Sequence, residues 1–167
     1  MQGPRLTRLQ KTILLLALTL AGAPAAFASH LVVQLSVEVG SRRVQADTDT
    51  FPPPAGRKPR LVLKARSGES IRLHWSVKNS DPRKKIEKLL VQLAIVPVAR
   101  VGQKEVPDLR KEAVWQTAIA TALEPNRDTH GDIELPVSEP GVYLIRVESG
   151  FTERDHEHFA AVDLQIE

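Results

Sequence analysis

Strict alternation of apolar and polar positions predicts several β-strands that each have one solvated face. The clearest runs from Ile71 to Lys78, and the stretch from Leu31 to Val39 repeats the pattern with leucine or valine at every odd position. Successive side chains of a strand point to opposite faces, so each stretch places one face in a core. The inward positions of the first stretch are Ile71, Leu73, Trp75 and Val77. We therefore expect Trp75 to be a core residue rather than part of a binding site.

The stretch from Ile133 to Val147 predicts two strands joined by a corner. Apolar residues alternate up to Val137, the Glu-Pro-Gly turn then reverses the chain, and alternation resumes at Tyr143. A tyrosine just after such a turn is typical of the tyrosine corner of Greek-key sandwiches, in which the hydroxyl bonds back to the preceding corner. We therefore predict an all-β fold, an immunoglobulin-like Greek-key β-sandwich of about seven to nine strands.

The remaining segments are assigned by composition and by their turn residues. Further strands are predicted at Leu61 to Ala65, Lys88 to Val96, Trp115 to Ala122 and His156 to Ile166. A helix is the rival for residues 84–96 and 113–122, and β-branched residues favour the strand in the first of these. Loops are predicted at Gly40 to Pro59, Arg100 to Lys111 and Glu124 to Gly131.

The first 28 residues have the pattern of a secretory signal peptide. Arg5, Arg8 and Lys11 precede an apolar run that is too short to span a bilayer, and the run leads to Ala26-Phe27-Ala28. We predict a signal peptide over residues 1–28 and one sandwich domain over residues 29–167. The mature protein is then secreted, either to a periplasm or outside the cell, without stable membrane insertion.

Removal of the signal peptide also removes the apparent basic character of the chain. Three of the 23 lysine and arginine residues lie in this segment and none of the 20 acidic residues does, so the mature chain is balanced in charge. Nucleic acid is therefore not an expected partner. The local basic clusters are interpreted as solvated loop charge; they comprise Arg57, Lys58 and Arg60, and Arg83, Lys84, Lys85 and Lys88.

The chain contains no cysteine. An exported domain without disulfides is held together by its core and by sheet hydrogen bonds. The same absence excludes thiol catalysis and cysteine metal ligands.

Two stretches together resemble a known class of domain. They are Gly68-Glu-Ser-Ile-Arg-Leu-His-Trp75, followed by Asn79, and Pro140-Gly-Val-Tyr-Leu-Ile-Arg-Val147. They are similar to the early and penultimate strands of exported bacterial immunoglobulin-like or fibronectin type III-like domains, over most of Leu61 to Glu167. The resemblance implies a sandwich with an adhesive, accessory or ligand-binding role. It supplies no functional residues, and the cysteine pair of antibody domains is missing.

The sharpest candidate for metal chemistry is His156-Glu157-His158. On a strand these two histidines project from one face, so both imidazoles can reach one zinc or copper ion. The rival interpretation is a polar strand end. His74 is expected to face outward on the opposite sheet, and His130 is expected at an exposed loop tip.

A narrower alternative concerns His30. Cleavage after Ser29 would make His30 the N-terminal residue, whose amine and ring can bind copper as in lytic polysaccharide monooxygenases, which also have an immunoglobulin-like sandwich. Phe27 would then occupy a cleavage position that normally takes a small residue, which argues against this alternative.

Motifs for nucleophilic catalysis, phosphate binding or zinc hydrolysis are absent from the sequence. We therefore expect no catalytic or cofactor-binding residues and no enzyme. The predicted function is an exported, non-catalytic binding or structural module that engages a protein or an envelope component. Its loops Gly40 to Pro59 and Arg100 to Lys111 are the expected contact regions. The alternative is a periplasmic zinc- or copper-binding protein that uses His156 and His158.

Overall fold

The computed structural model describes residues 31–51, 59–150 and 157–167. These residues form ten strands and one short helix. The strands are β1 (Leu31–Val39), β2 (Arg42–Ala46), β3 (Asp49–Phe51), β4 (Val62–Ala65), β5 (Ile71–Asn79), β6 (Ile86–Pro97), β7 (Trp115–Leu123), β8 (Asp128–Glu134), β9 (Gly141–Gly150) and β10 (Glu157–Ile166), and the helix is α1 (Leu109–Glu112).

The strands form two sheets that pack face to face. Sheet A has the order β2-β1-β5-β8, and sheet B has the order β3-β10-β9-β6-β7 with β4 pairing parallel to β10. The chain crosses between the sheets after β2, β4, β5, β7 and β8, which is Greek-key connectivity. The predicted all-β sandwich is confirmed.

The core lies between the inward positions that the alternation predicts. Leu35 of β1 is paired with Trp75 of β5, and both side chains are buried. The indole of Trp75 packs against the backbone of Gly131 in β8, where an added Cβ would come within 2.9 Å of the indole nitrogen. Trp75 is therefore a core residue, as predicted, and the position opposite it requires glycine.

Sheet B supplies the other half of the core from β6, β9 and β10. Residues 84–96 and 113–122, for which a helix was the rival, lie in the antiparallel hairpin of β6 and β7. The inward side chains of β6 are almost fully buried; they are Leu89, Val91, Leu93 and Ile95. The preference for strands in both segments is confirmed.

The corner between β8 and β9 is a tyrosine corner. Tyr143 is buried, and its hydroxyl donates a hydrogen bond to the carbonyl oxygen of Glu139 at 3.0 Å. This bond fixes the chain where it passes from sheet A to sheet B. The tyrosine and its partner segment are those that the sequence indicates.

Two loop predictions are wrong. The segment from Gly40 to Pro59 contributes β2 and β3, and Glu124 to Gly131 includes the first half of β8. Both strands of the first segment are short and lie at sheet edges, and β8 exposes a charged or polar side chain at every even position. An apolar alternation is weak in such strands, because only one of their sides packs against the core.

Among the described residues, no helix combines the length and the apolar character needed to cross a membrane.

Candidate functional site

The predicted metal pair falls partly outside the described residues. His158 lies on β10, is fully buried, and its carbonyl oxygen accepts a hydrogen bond from Ser149 Oγ at 3.2 Å. His156 and His30 lie outside the described residues. Binding of zinc or copper by His156 and His158 therefore stays a prediction.

A second histidine, His74, lies between two carboxylates on the outer face of sheet A. Its Nδ1 contacts Asp132 of β8, and its Nε2 is 3.2 Å from a carboxylate oxygen of Glu38 in β1. The two ring nitrogens point away from each other, so these three side chains do not converge on one ion. In the described ranges, no group of three or more histidine, aspartate or glutamate side chains has a metal-binding arrangement.

The neighbouring surface of sheet A is a shallow, polar depression of about 180 Å³. His130 lies on its rim, on strand β8 rather than at a loop tip, and its Nδ1 is 3.2 Å from Asp128 Oδ2. The hydroxyl of Ser36 accepts a hydrogen bond from Arg43 Nε at 2.7 Å. This face offers hydrogen-bonding groups that no described segment covers.

The outer face of sheet B is organised differently, because residues 98–114 cross over it. We call this segment the outer excursion. Its ends are fixed to the sheet: the amide of Val98 donates to the carbonyl oxygen of Val142, and the amide of Val114 donates to that of Ile95, both at 2.9 Å. Close to its first end, Gly102 has a φ of 73°, a conformation that suits glycine at the third position of a turn.

A buried carboxylate on β10 holds the first part of the outer excursion. Asp163 is fully buried and accepts hydrogen bonds from Arg60 Nε at 2.7 Å and from the amide of Gly102 at 2.6 Å. Arg60 in turn donates through Nη2 to the carbonyl oxygen of Gln103 at 2.5 Å. One carboxylate and one guanidinium thus attach the excursion to the sheet at two adjacent residues.

The same face buries an apolar layer separate from the main core. Val96, Leu144 and Phe159 have outward parity in their strands, yet each is almost fully buried. The guanidinium of Arg146 lies 4.0 Å from the centre of the Phe159 ring and donates to Glu148 at 2.7 Å. This stacked and paired arginine completes the layer.

Helix α1 forms the part of the outer excursion that leads into β7. Asp108 caps the helix by accepting a hydrogen bond from the amide of Arg110 at 3.0 Å. That bond and the nearby ammonium of Lys111 lower the pKa of the Asp108 carboxyl. Between the helix and the strands lies a groove of about 250 Å³, lined in part by Ala94, Gln116 and Glu148.

Four large apolar side chains of the described residues are exposed, and three of them lie in the outer excursion. Val101 is 36% exposed, Val106 is 38% exposed and Val114 is 57% exposed. The fourth, Leu61 at 49%, follows the Arg60 that binds Gln103. Sheet A has no comparable apolar exposure in its described strands.

The residues that build this site were not found from the sequence. Arg60 was expected to be solvated loop charge, which is wrong, because only 9% of its side chain is exposed and it is paired with Asp163. The available signal was Asp163 itself, the single acid within the apolar stretch from Phe159 to Ile166. An acid in such a stretch indicates a buried partner of opposite charge.

Comparisons with known proteins add a fold-level similarity. No protein-family model matches the chain, and no curated protein matches its sequence. The chain is similar to a solved structure described as the X-ray photoreduction of a polysaccharide monooxygenase, CBM33, with a TM-score of 0.38 and 13% identity. The match covers 68% of this chain and 63% of that one, so the chain spans less than two thirds of its length.

This comparison corrects one prediction. We expected the protein not to be an enzyme, and the protein that it resembles is named as a monooxygenase. The prediction is therefore wrong as stated. It depended on the absence of short motifs, and catalytic groups brought together from distant strands leave no such motif.

Proposed function

We propose that this chain is an exported binding module and that it engages a partner protein of the bacterial envelope or extracellular space through the outer excursion. The observation that carries the proposal is that three of the four exposed large apolar side chains of the described residues, Val101, Val106 and Val114, lie in the outer excursion, and the fourth, Leu61, follows the Arg60 that binds this segment. Exposed apolar side chains gathered on one loop are candidates for contact with a partner.

The attachment of the outer excursion supports this role. A loop that is ordered before binding loses less conformational entropy when a partner docks, so more of the interaction free energy appears as affinity. Asp163 fixes Gly102, and Arg60 fixes Gln103, on either side of one peptide bond. Val101 directly precedes Gly102 in the chain, so its backbone is held next to this attachment.

The composition of the excursion also suits a protein partner. Its exposed valines are interspersed with charged residues, which include Arg100, Lys104 and Glu105. Protein interfaces combine apolar contacts with polar and charged groups. Export is supported by the N-terminal sequence alone, since residues 1–28 lie outside the described ranges.

The proposal is tested by site-specific photocrosslinking in the cells that export the protein. A photoreactive residue is placed at Val101 or at Val106, and the matched control position is Lys78, an exposed residue on the outer face of sheet A. We expect one discrete protein adduct from both valine positions and none from Lys78. Adding Asp163→Asn should weaken the adduct, because the excursion is then released from the sheet. Absence of an adduct at the valines, or equal adducts at all three positions, contradicts the proposal.

A further inference from the structure

Strand β7 forms one edge of sheet B and pairs only with β6 among the described residues. It is nine residues long, from Trp115 to Leu123, and its register with β6 is regular from Leu89 to Ile95. Its outer backbone edge therefore presents a row of amide and carbonyl groups in strand geometry. Such a row is a template for another strand.

The other long edge strand, β8, is protected against edge-to-edge pairing, and β7 is not. Strand β8, at the edge of sheet A, carries Asp128, His130, Asp132 and Glu134 on its outward face. Charges of this kind oppose the pairing of edges. Strand β7 contains no charged residue, no proline and no glycine. Its sequence lacks the features by which β-proteins block edge-to-edge association.

Inward-facing side chains of β7 are also incompletely covered. Trp115 and Ile119 pack against the core, but both remain partly exposed at the open side of the sandwich. A further strand laid along β7 would continue the sheet over them. The association would then bury apolar surface in addition to forming backbone hydrogen bonds.

The sequence of β7 indicates which partner strand can pair with it. Residues 117–121 read Thr-Ala-Ile-Ala-Thr, which is the same in both directions about Ile119. We propose that β7 pairs antiparallel with β7 of a second copy of this chain, with the two-fold axis at Ile119. The result is a dimer with one continuous sheet formed from both copies of sheet B.

In this register every residue faces a compatible partner. Ile119 lies opposite Ile119 of the second copy, Thr117 opposite Thr121, and Ala118 opposite Ala120. Threonine pairs and apolar pairs across antiparallel strands are favourable, and no like charges meet. Inward positions also remain opposite inward positions, so both sandwiches keep their cores on the same side of the joined sheet. An unrelated extended peptide would use the same backbone groups but would not need this symmetry.

A charge-swap experiment tests the pairing. Ala118 and Ala120 are exposed on the outer face, so substitution there leaves the core intact. The variant Ala118→Lys/Ala120→Lys places two like-charged pairs across the proposed axis, whereas Ala118→Lys/Ala120→Glu places two opposite-charged pairs there. By sedimentation equilibrium, we expect wild type and the lysine-glutamate variant to dimerise, and the double-lysine variant to bind itself about tenfold more weakly or worse.

A cysteine experiment tests the register. The chain has no cysteine of its own, so any disulfide must come from the introduced residue. In Ile119→Cys the two thiols face each other across the axis, at a spacing that a disulfide can span. In the control Thr117→Cys, the two thiols are about 13 Å apart along the strands, beyond disulfide reach. We expect rapid formation of a disulfide-linked dimer from the first variant only.

Two results would overturn the inference. One is a wild-type protein that remains monomeric at every concentration; the other is equal crosslinking of the two cysteine variants. The substitutions lie outside the exposed valines of the outer excursion, so loss of the dimer and loss of the partner adduct are separate outcomes.

Discussion

The outer faces of the two sheets differ in how they treat side chains that point away from the core. On sheet B, outward-facing Asp163 is buried where Arg60 and the outer excursion bind it, and outward-facing Leu144 and Phe159 are buried as well. On sheet A, outward-facing His74 and Glu38 lie at a surface that no described segment covers. Alternation in a strand thus determines which face a side chain occupies, and the connections between strands determine whether that face meets water.

Two ion pairs make the effect of such cover measurable, one at Asp163 on the outer face of sheet B and one at the edge where β2 of sheet A meets β4 of sheet B. Arg60 and Asp163 are 2.7 Å apart with side chains 9% and 0% exposed, whereas Arg42 and Glu69 are 2.6 Å apart with side chains 45% and 36% exposed. The distances are nearly equal, but only the first pair is withdrawn from water. Removing one partner of a buried pair leaves an uncompensated charge, while a surface pair contributes little.

The largest effect is expected from Asp163→Ala. The change leaves the guanidinium of Arg60 buried without its carboxylate and removes the acceptor of the Gly102 amide, so the free energy of unfolding should fall by about 3 to 5 kcal/mol. Chemical denaturation measures this loss. The matched control is Arg60→Met/Asp163→Leu, which removes both charges and should recover much of the stability. If Asp163→Ala is as stable as this double variant, the distinction between the buried and the exposed ion pair is wrong.

An intermediate effect is expected from Arg146→Ala. It removes the contact with the Phe159 ring and leaves Glu148, whose side chain is 15% exposed, without the guanidinium that binds it. We expect a loss of about 2 kcal/mol in the free energy of unfolding. Arg146→Lys keeps the charge but not the planar stack. Its free energy of unfolding should therefore lie between those of wild type and Arg146→Ala. If alanine and lysine both match wild type in stability, the buried layer on the outer face of sheet B does not depend on this arginine.

The smallest effect is expected from Glu69→Gln, in the exposed ion pair with Arg42. The amide of Arg66 and then the guanidinium of Arg42 hold the pKa of the Glu69 carboxyl below its usual value. Because the folded pKa is the lower one, this stabilisation is present above the unfolded pKa and is lost as the pH falls through the folded pKa. Denaturation as a function of pH should therefore show a small difference between variant and wild type near neutrality, reduced by salt and absent in acid. A difference as large as that of Asp163→Ala would contradict the comparison.

The sequence predicts the strands well where one face is apolar. The alternation in β1 and β5 indicates both the strands and the burial of Trp75, and the Glu-Pro-Gly turn indicates the tyrosine corner of Tyr143. These features are local, because each depends on residues close together in the chain.

The candidate site depends on contacts that are distant in sequence. Arg60 and Asp163 are 103 residues apart, and they meet only because β4 pairs parallel to β10. The outer excursion appears polar and loop-like in the sequence, and nothing within it indicates that Gly102 donates to a buried carboxylate. Burial of charge is a property of the assembled sheets, so the alternation of residues alone does not reveal it.

The central claim is that the outer excursion is held on sheet B by Asp163, and amide hydrogen exchange at Gly102 tests it most directly. The account predicts slow exchange at this amide in the native protein, although the residue itself is exposed, since its N–H donates to a buried carboxylate. In Asp163→Asn, exchange at Gly102 should accelerate more than exchange at the amides of β1 and β5. Fast exchange at Gly102 in the unaltered protein would contradict the account.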